Sequence, residues 1–288
     1  MNYSVSLLRA DLKAGLQRLL RTAGFSVSMR RVVRNGDRVD RRLQSRIPAS
    51  KIKRLIRRRD LALDKFGNPS WFYTAYQRED SDPLTNFTLD FICENIPKDS
   101  DLLITGCGTG IMLFFLIDQG FQNVEGFDFL DQCVLIANEV AELGRYRTKI
   151  WQADGFNPSL QKKYHLITAM HWVFSAWMGN YGNDARPLED ARSPTTRERL
   201  LRDFLSKYAP HLHRGGLFIV ELTDAVADYR LPFDGGFTPI PLTEIYPVRH
   251  TPTQVATCAM DCGLSLVSFS MCCSYGHQPR TSYILKKL

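Results

Sequence analysis

The stretch Leu102-Leu103-Ile104-Thr105-Gly106-Cys107-Gly108-Thr109-Gly110 constrains the fold most: an apolar run ends in three alternating glycines, and a helical pattern follows at once. A strand that turns this tightly into a helix needs main chain without side chains at the turn. A Cβ there would take the space of a ligand that approaches the backbone closely. A glycine triplet alone is weak evidence, but its setting is stronger. Val124-Glu125-Gly126-Phe127-Asp128 is a second strand pattern, ending on a carboxylate 20 positions beyond Gly108, where an acid can accept two ribose hydroxyls. The spacing is GxGxG rather than the GxGxxG of dinucleotide sites, so no third glycine falls where a helix must approach a pyrophosphate.

From residue 101 onward, short β-rich runs alternate with helical patterns. We expect strands at 101–105, 123–128, 147–151, 164–170 and 215–222, and helices at 110–119, 130–143 and 195–211. A helix over Thr85–Ile96 precedes them, and Thr251–Cys262 reads as a helix with Pro252 in its first turn. The runs Leu264–Met271 and Thr281–Lys286 suit an antiparallel hairpin at a sheet edge. The fold class is therefore α/β: a doubly wound, mostly parallel seven-stranded sheet with an antiparallel C-terminal hairpin. A basic, largely helical N-terminal extension occupies 1–80 and the main domain 81–288.

With these elements in order, the sequence resembles the class I S-adenosylmethionine (SAM)-dependent methyltransferases over about residues 85–288. The resemblance implies a Rossmann-like sheet, SAM as cofactor and methyltransferase activity. It implies a loop of Thr105, Gly106, Cys107, Gly108 and Gly110 under the methionine and ribose of SAM, with Asp128 on the ribose and Phe129 beside the adenine. Asp154, Gly155 and Phe156 match the stretch whose aspartate accepts from the adenine amino group, and Met170 lies at the end of the fourth strand, facing the sulfur. Ile104 departs from the pattern, since an acidic residue is common there. Thr105 or a residue of the extension is expected to replace that acid in holding the methionine amino group.

Methyl transfer from a sulfonium is an in-line displacement, and an oxygen acceptor must also lose its proton. His171, directly after the fourth strand, is the first candidate for that base, and His250 the second. Trp71, Tyr73, Tyr76, Trp172, Trp177 and Tyr181 are candidate acceptor contacts, because aromatic rings beside amides and carboxylates suit a sugar. No His, Asp or Glu group has metal-ligand spacing, so no metal is expected. The seven cysteines include no CxxC pair and read as reduced thiols.

Charge divides the chain. Residues 1–60 hold 17 Lys and Arg against 4 Asp and Glu, a balance of +13, leaving 20 against 26 in the remainder, a balance of −6. Residues 7–20 form an amphipathic basic pattern, and 50–65 a second basic helix. Such an extension suits an anionic partner: a membrane surface, an acidic glycan or nucleic acid. The bland alternative is a helix packed on the rest of the protein or on a second subunit of a homodimer. No apolar stretch has the ~20 residues of a membrane-spanning helix, and no secretory h-region is present, so a cytoplasmic protein, peripheral to the inner membrane face, is expected. A D/N-P-P-Y/F tetrapeptide and a Pro-Cys pair are both missing, which disfavours base methylation. The favoured reading is O-methylation of a sugar, glycan or other small molecule. N-methylation of an amino sugar or natural product, a structured-RNA methyltransferase and a non-catalytic SAM-binding scaffold are the alternatives.

Overall fold

The computed structural model describes residues 47, 55, 83–173, 193–223, 232–233, 236–237, 248–274 and 278–288. The helices expected at 7–20 and 50–65, the aromatics Trp71, Tyr73 and Tyr76, and Trp177 and Tyr181 lie outside the described residues, apart from Leu55.

Helix α1 (Pro83–Asn95) leads into β1 (Asp101–Thr105), α2 (Ile111–Asp118), β2 (Asn123–Asp128), α3 (Asp131–Gly144), β3 (Lys149–Gln152) and β4 (Tyr164–Ala169). Helix α4 (Pro194–Tyr208), a 3-10 turn at Ala209–His211 and β5 (Leu212–Thr223) follow. The short strands β6 (Pro232–Phe233) and β7 (Gly236–Phe237) pair with each other, and α5 (Pro252–Asp261), β8 (Leu264–Ser274) and β9 (Gln278–Lys287) complete the chain. The main sheet has seven strands in the order β3-β2-β1-β4-β5-β9-β8. Pairs from β3 through β5 are parallel, and β9 runs antiparallel to both β5 and β8.

Each face of the sheet buries its own core. Helices α1, α2 and α3 cover one face through Leu84, Leu89, Leu113, Phe114, Ile136 and Val140, which pack on Leu102, Ile104 and Ile284. Helices α4 and α5 cover the other through Leu201, Phe204, Tyr208, Val255 and Ala259, against Leu103, Ile167, Phe218 and Tyr283. Strands covered on both faces must be apolar at nearly every position, which is why β1 and β4 read as continuous hydrophobic runs. Helix α5 starts where a capping box forms: the Thr251 hydroxyl accepts from the Gln254 N–H, and the Gln254 side chain accepts from the Thr251 N–H.

Of the boundaries that moved from expectation, two have a clear physical cause in the chain. The helix expected to reach 211 leaves α-geometry after Tyr208, because Pro210 has no N–H to continue it. Strand β5 begins at Leu212 rather than 215, with its register against β4 shifting from Tyr164↔Leu212 to Leu166↔Leu217. Gly215 at φ +78° lies within this bulge.

Ile47 and Leu55 join the α1–α3 core, and the Ile47 side chain approaches Gly144 at the end of α3. The chain runs outward from β1 to β3 and then returns to β4 on the other side of β1. This reversal opens a crevice at the carboxyl ends of β1 and β4, the usual ligand position in an open α/β sheet. Among the described residues, no helix is long and apolar enough to cross a membrane.

Candidate active site

The glycine loop leaves β1 at the crevice. The Cys107 N–H donates to the Phe127 carbonyl at 2.9 Å, which ties the loop to the end of β2. Asp128 completes the joint: Oδ2 accepts from the Gly108 N–H at 2.7 Å and Oδ1 from the Leu130 N–H at 2.9 Å. Two backbone bonds leave carboxylate lone pairs for further donors. Burial raises the Asp128 pKa above the ordinary carboxylate value, with its backbone hydrogen bonds opposing the shift. Burial also pushes the Cys107 thiol well up, helped by the Asp128 charge, so Cys107 is an inert packing thiol.

Two glycines of the loop face different surroundings. A Cβ on Gly106 would lie 2.2 Å from the Trp172 ring, whereas a Cβ on Gly108 would meet nothing within 4 Å. The backbone beside the Asp128 carboxylate thus borders a cradle that a side chain would begin to fill, and a nucleoside fits this combination of open main chain and acid. Phe129 is 48% exposed at the cradle's edge. Asp154 is exposed as well, its Oδ1 accepting from the Phe156 N–H at 2.8 Å.

Trp172 occupies a position that the sequence did not suggest. Its ring lies against both Gly106 and Gly155, its Nε1–H donates to Thr105 Oγ1 at 3.1 Å, and it packs edge-on against Phe156 and Phe204. The indole is therefore a wedge in the α4-side core that supports the loops after β1 and β3, not part of an acceptor wall. Thr105 is buried, and its hydroxyl donates to the Thr168 carbonyl at 2.7 Å while accepting from that indole. The expected substitution of Thr105 for the acid at Ile104 conflicts with these bonds. Tyr208 adds to the same support, donating to the Gly155 carbonyl at 2.6 Å.

Met170 is likewise turned inward. It is buried, with Thr88 Oγ1 at 3.7 Å and Ser282 Oγ at 4.0 Å from its sulfur, so its side chain belongs to the α1-side core. His250 is completely buried; its N–H donates to the Thr223 carbonyl and its Nε2–H to the Arg197 carbonyl at 2.8 Å. Burial lowers its pKa to about 4. A sealed, neutral imidazole that donates to main chain is a core fixture, and the expectation of a second base at this position is corrected.

His171 differs in each respect. It follows β4 with φ +68°, a left-handed conformation uncommon for a residue with a side chain, and its side chain is one-third exposed. Its backbone N–H donates to Glu221 Oε2 at 2.9 Å, and its Nδ1 lies 3.2 Å from the same oxygen. Its Nε2 is 2.6 Å from Thr85 Oγ1 on α1. Arg280 pairs with the other Glu221 oxygen through NH1. Sequence reasoning missed Glu221, Arg280 and Thr85. The available signal was a glutamate inside the apolar run Leu217–Leu222 and an arginine opening the apolar strand β9, since buried charges require partners. The register Thr223↔Arg280 brings these two together on one face of the sheet.

A different trio, Asp101, His165 and His213, gathers at the amino ends of β1, β4 and β5, with ligand atoms within 4.8 Å of one another. Two of the three have partners within the protein: His165 Nδ1 accepts from the Asp101 N–H at 3.1 Å, and Lys162 Nζ holds Asp101 Oδ1 at 3.1 Å.

No protein-family model matches the chain, and no curated protein matches it. Among solved structures it is similar to a SAM-dependent methyltransferase from Clostridium acetobutylicum, at 18% identity and TM-score 0.50, over 77% of this chain and 98% of that one. It is also similar to TehB from Haemophilus influenzae, at 12% identity and TM-score 0.50, over 76% of this chain and 66% of that one. At such identities the likeness establishes the architecture. The chain has the Rossmann-like fold of the class I SAM-dependent methyltransferases, its own sheet ending in the antiparallel hairpin of β8 and β9.

Proposed function

We propose that the chain is a SAM-dependent methyltransferase that methylates a hydroxyl oxygen of a small molecule or sugar. The observation that carries this reading is the Gly108–Asp128 joint: open main chain and a buried carboxylate, side by side at the topological crevice. Asp128 would hold the ribose hydroxyls, Phe129 would cover the adenine, and Asp154 would accept from the adenine amino group. When bound, SAM supplies a methyl group on a positively charged sulfur.

The chain's own contribution is alignment and proton removal. In-line displacement rewards a fixed approach, and the rigid ends of β1 and β4 supply it. His171 stands at the end of β4 on the crevice side, where it takes the acceptor proton. The main domain spans 81–288 in this reading. Residues 1–60, with their balance of +13, form the contact to an anionic membrane or glycan surface, anchored to the domain at Ile47.

Calorimetric titration with SAM and S-adenosylhomocysteine tests the proposal. Affinity on the order of micromolar is expected, together with a loss of at least about tenfold in Asp128→Ala, the equivalent of ~1.4 kcal/mol for the hydrogen bonds removed. Wild-type protein that is folded and binds neither compound would overturn it.

A further inference from the structure

Glu221 and Arg280 are sealed charges that take no part in holding a nucleoside. Glu221 is 0% exposed and the Arg280 side chain 5%. Charges removed from water in this way recover their cost only when fully hydrogen-bonded, and an apolar pair of similar volume is often at least as stable. The arrangement has another consequence, read from its partners. One Glu221 oxygen is taken by Arg280. The other lies on His171 twice, at the backbone N–H and at Nδ1.

The backbone bond helps hold His171 in its left-handed conformation. The 3.2 Å approach of Oε2 to Nδ1 is an ion-pair distance rather than an aligned hydrogen bond, and it favours a proton on Nδ1, because a carboxylate attracts an N–H beside it and repels a lone pair. Arg280 NH1 also approaches Nδ1, at 3.5 Å, but that is the limit of a hydrogen bond, and this nitrogen is committed to Glu221. With Nδ1 protonated, Nε2 is the acceptor nitrogen, and the Thr85 hydroxyl donates to it.

We propose that Glu221 is the positioning residue of His171, holding the ring in the Nδ1–H tautomer with Nε2 ready to accept, while Arg280 balances its charge. This rests on the methyltransferase reading in one respect, its hydroxyl acceptor, which supplies the proton that Nε2 takes. A carboxylate acceptor brings no proton for Nε2 to take. In the step, the acceptor oxygen forms its bond to the methyl carbon and the carbon–sulfur pair remains on sulfur, leaving a thioether. The acceptor proton passes to Nε2, and the resulting imidazolium is met by Glu221. The acceptor hydroxyl takes over the hydrogen bond that Thr85 makes to Nε2. A carboxylate that orients a histidine in this way acts on tautomer and ring position without touching substrate.

The test is 1H–15N correlation of the imidazole nitrogens in the full chain, above the ordinary histidine titration range, with the His171 signal identified by its loss in His171→Gln. Nδ1–H is expected to dominate in the wild type. In Glu221→Gln the tautomer ratio is expected to fall by about tenfold, since the buried carboxylate charge beside Nδ1 is what favours the N–H there, and a neutral amide lacks it. Glu221→Gln leaves Arg280 buried without its anion, so the double variant Glu221→Gln/Arg280→Met, which removes both charges, keeps the test available if the single variant does not fold. An Nε2–H tautomer in the wild type, or a ratio unchanged in the variants, overturns the positioning role. S-adenosylhomocysteine titration of the same samples separates the failures: no binding by the wild type overturns the methyltransferase reading and with it the acceptor class, whatever the tautomer.

Discussion

The two ends of the sheet each gather histidine and carboxylate, and they use them differently. At the carboxyl ends of β4 and β5, Glu221 and Arg280 are sealed and only His171 reaches toward solvent. At the amino ends of β1, β4 and β5, Asp101, His165 and His213 sit at the surface with Lys162, which also bridges to Glu125 at 2.9 Å. The residue types are similar, but the dielectric is not. Charges in water can be lost singly at little cost, whereas each buried charge depends on its partner. The carboxyl end is therefore a built constellation, and the amino end a solvated border.

The largest effect that would break this comparison is at Glu221. Glu221→Ala leaves the Arg280 guanidinium buried against no anion and frees the left-handed backbone of His171. A loss of about 3–5 kcal/mol is expected, as for other broken buried pairs. Urea unfolding measures it, and an effect below about 1 kcal/mol would place the pair in the same solvated regime as the amino end.

Next come the two glycines of the loop. Gly106→Ala drives a Cβ into Trp172 at a positive φ, which combines overpacking with backbone strain for a cost of about 3 kcal/mol. Gly108→Ala has the strain at φ +55° but no clash, for about 1–2 kcal/mol. Ligand binding reverses the order: the added methyl at Gly108 enters the cradle, so this milder variant is expected to lose S-adenosylhomocysteine affinity while remaining folded. Thermal unfolding and calorimetry on both proteins check the crossover.

The same contrast explains what the sequence made legible. Strands β1 and β2 stand where their apolar runs and terminal residues indicated, and the glycine loop meets Asp128 as the spacing of 20 positions required. Those features are local, and each is encoded within one element. The histidine network is not: Thr85, His171, Glu221 and Arg280 come from four elements, and only the register of β5 against β9 unites the last two. Trp172 was misjudged for a related reason. A residue just past a strand can turn above the loop or beneath it, and the packing of Phe204 and Phe156 on α4 and the β3 loop decides which.

A third prediction separates the two histidines once paired as candidate bases. The pKa of His250, lowered by burial to about 4, lies below the ordinary histidine value. Its unfolded form binds a proton as pH falls below ~6.5 while the folded form does not, so stability is present above that value and is lost toward pH 4. Integrated from neutral pH to about pH 5, the loss attributable to this group is ~2 kcal/mol. Urea midpoints at the two pH values measure it. His250→Asn, which retains a donor for the Arg197 carbonyl, should flatten the difference.

The smallest effect sharpens the comparison from the other end. Lys162 bonds Asp101 and Glu125 together, two ion pairs that on a drawing resemble the Glu221–Arg280 pair. Its side chain is 41% exposed, so water already solvates the charge, and ordering a long side chain costs entropy that the attraction must first recover. Lys162→Ala is expected to change stability by less than about 1 kcal/mol at moderate salt, and by less still when salt is raised. Glu221→Ala should be almost indifferent to salt, because ions do not enter the core that holds it. Salt dependence is thus the sharper readout of the two. A Lys162 effect that persists in high salt would mean that the amino end is organised as tightly as the site, and the distinction between constellation and border would fail.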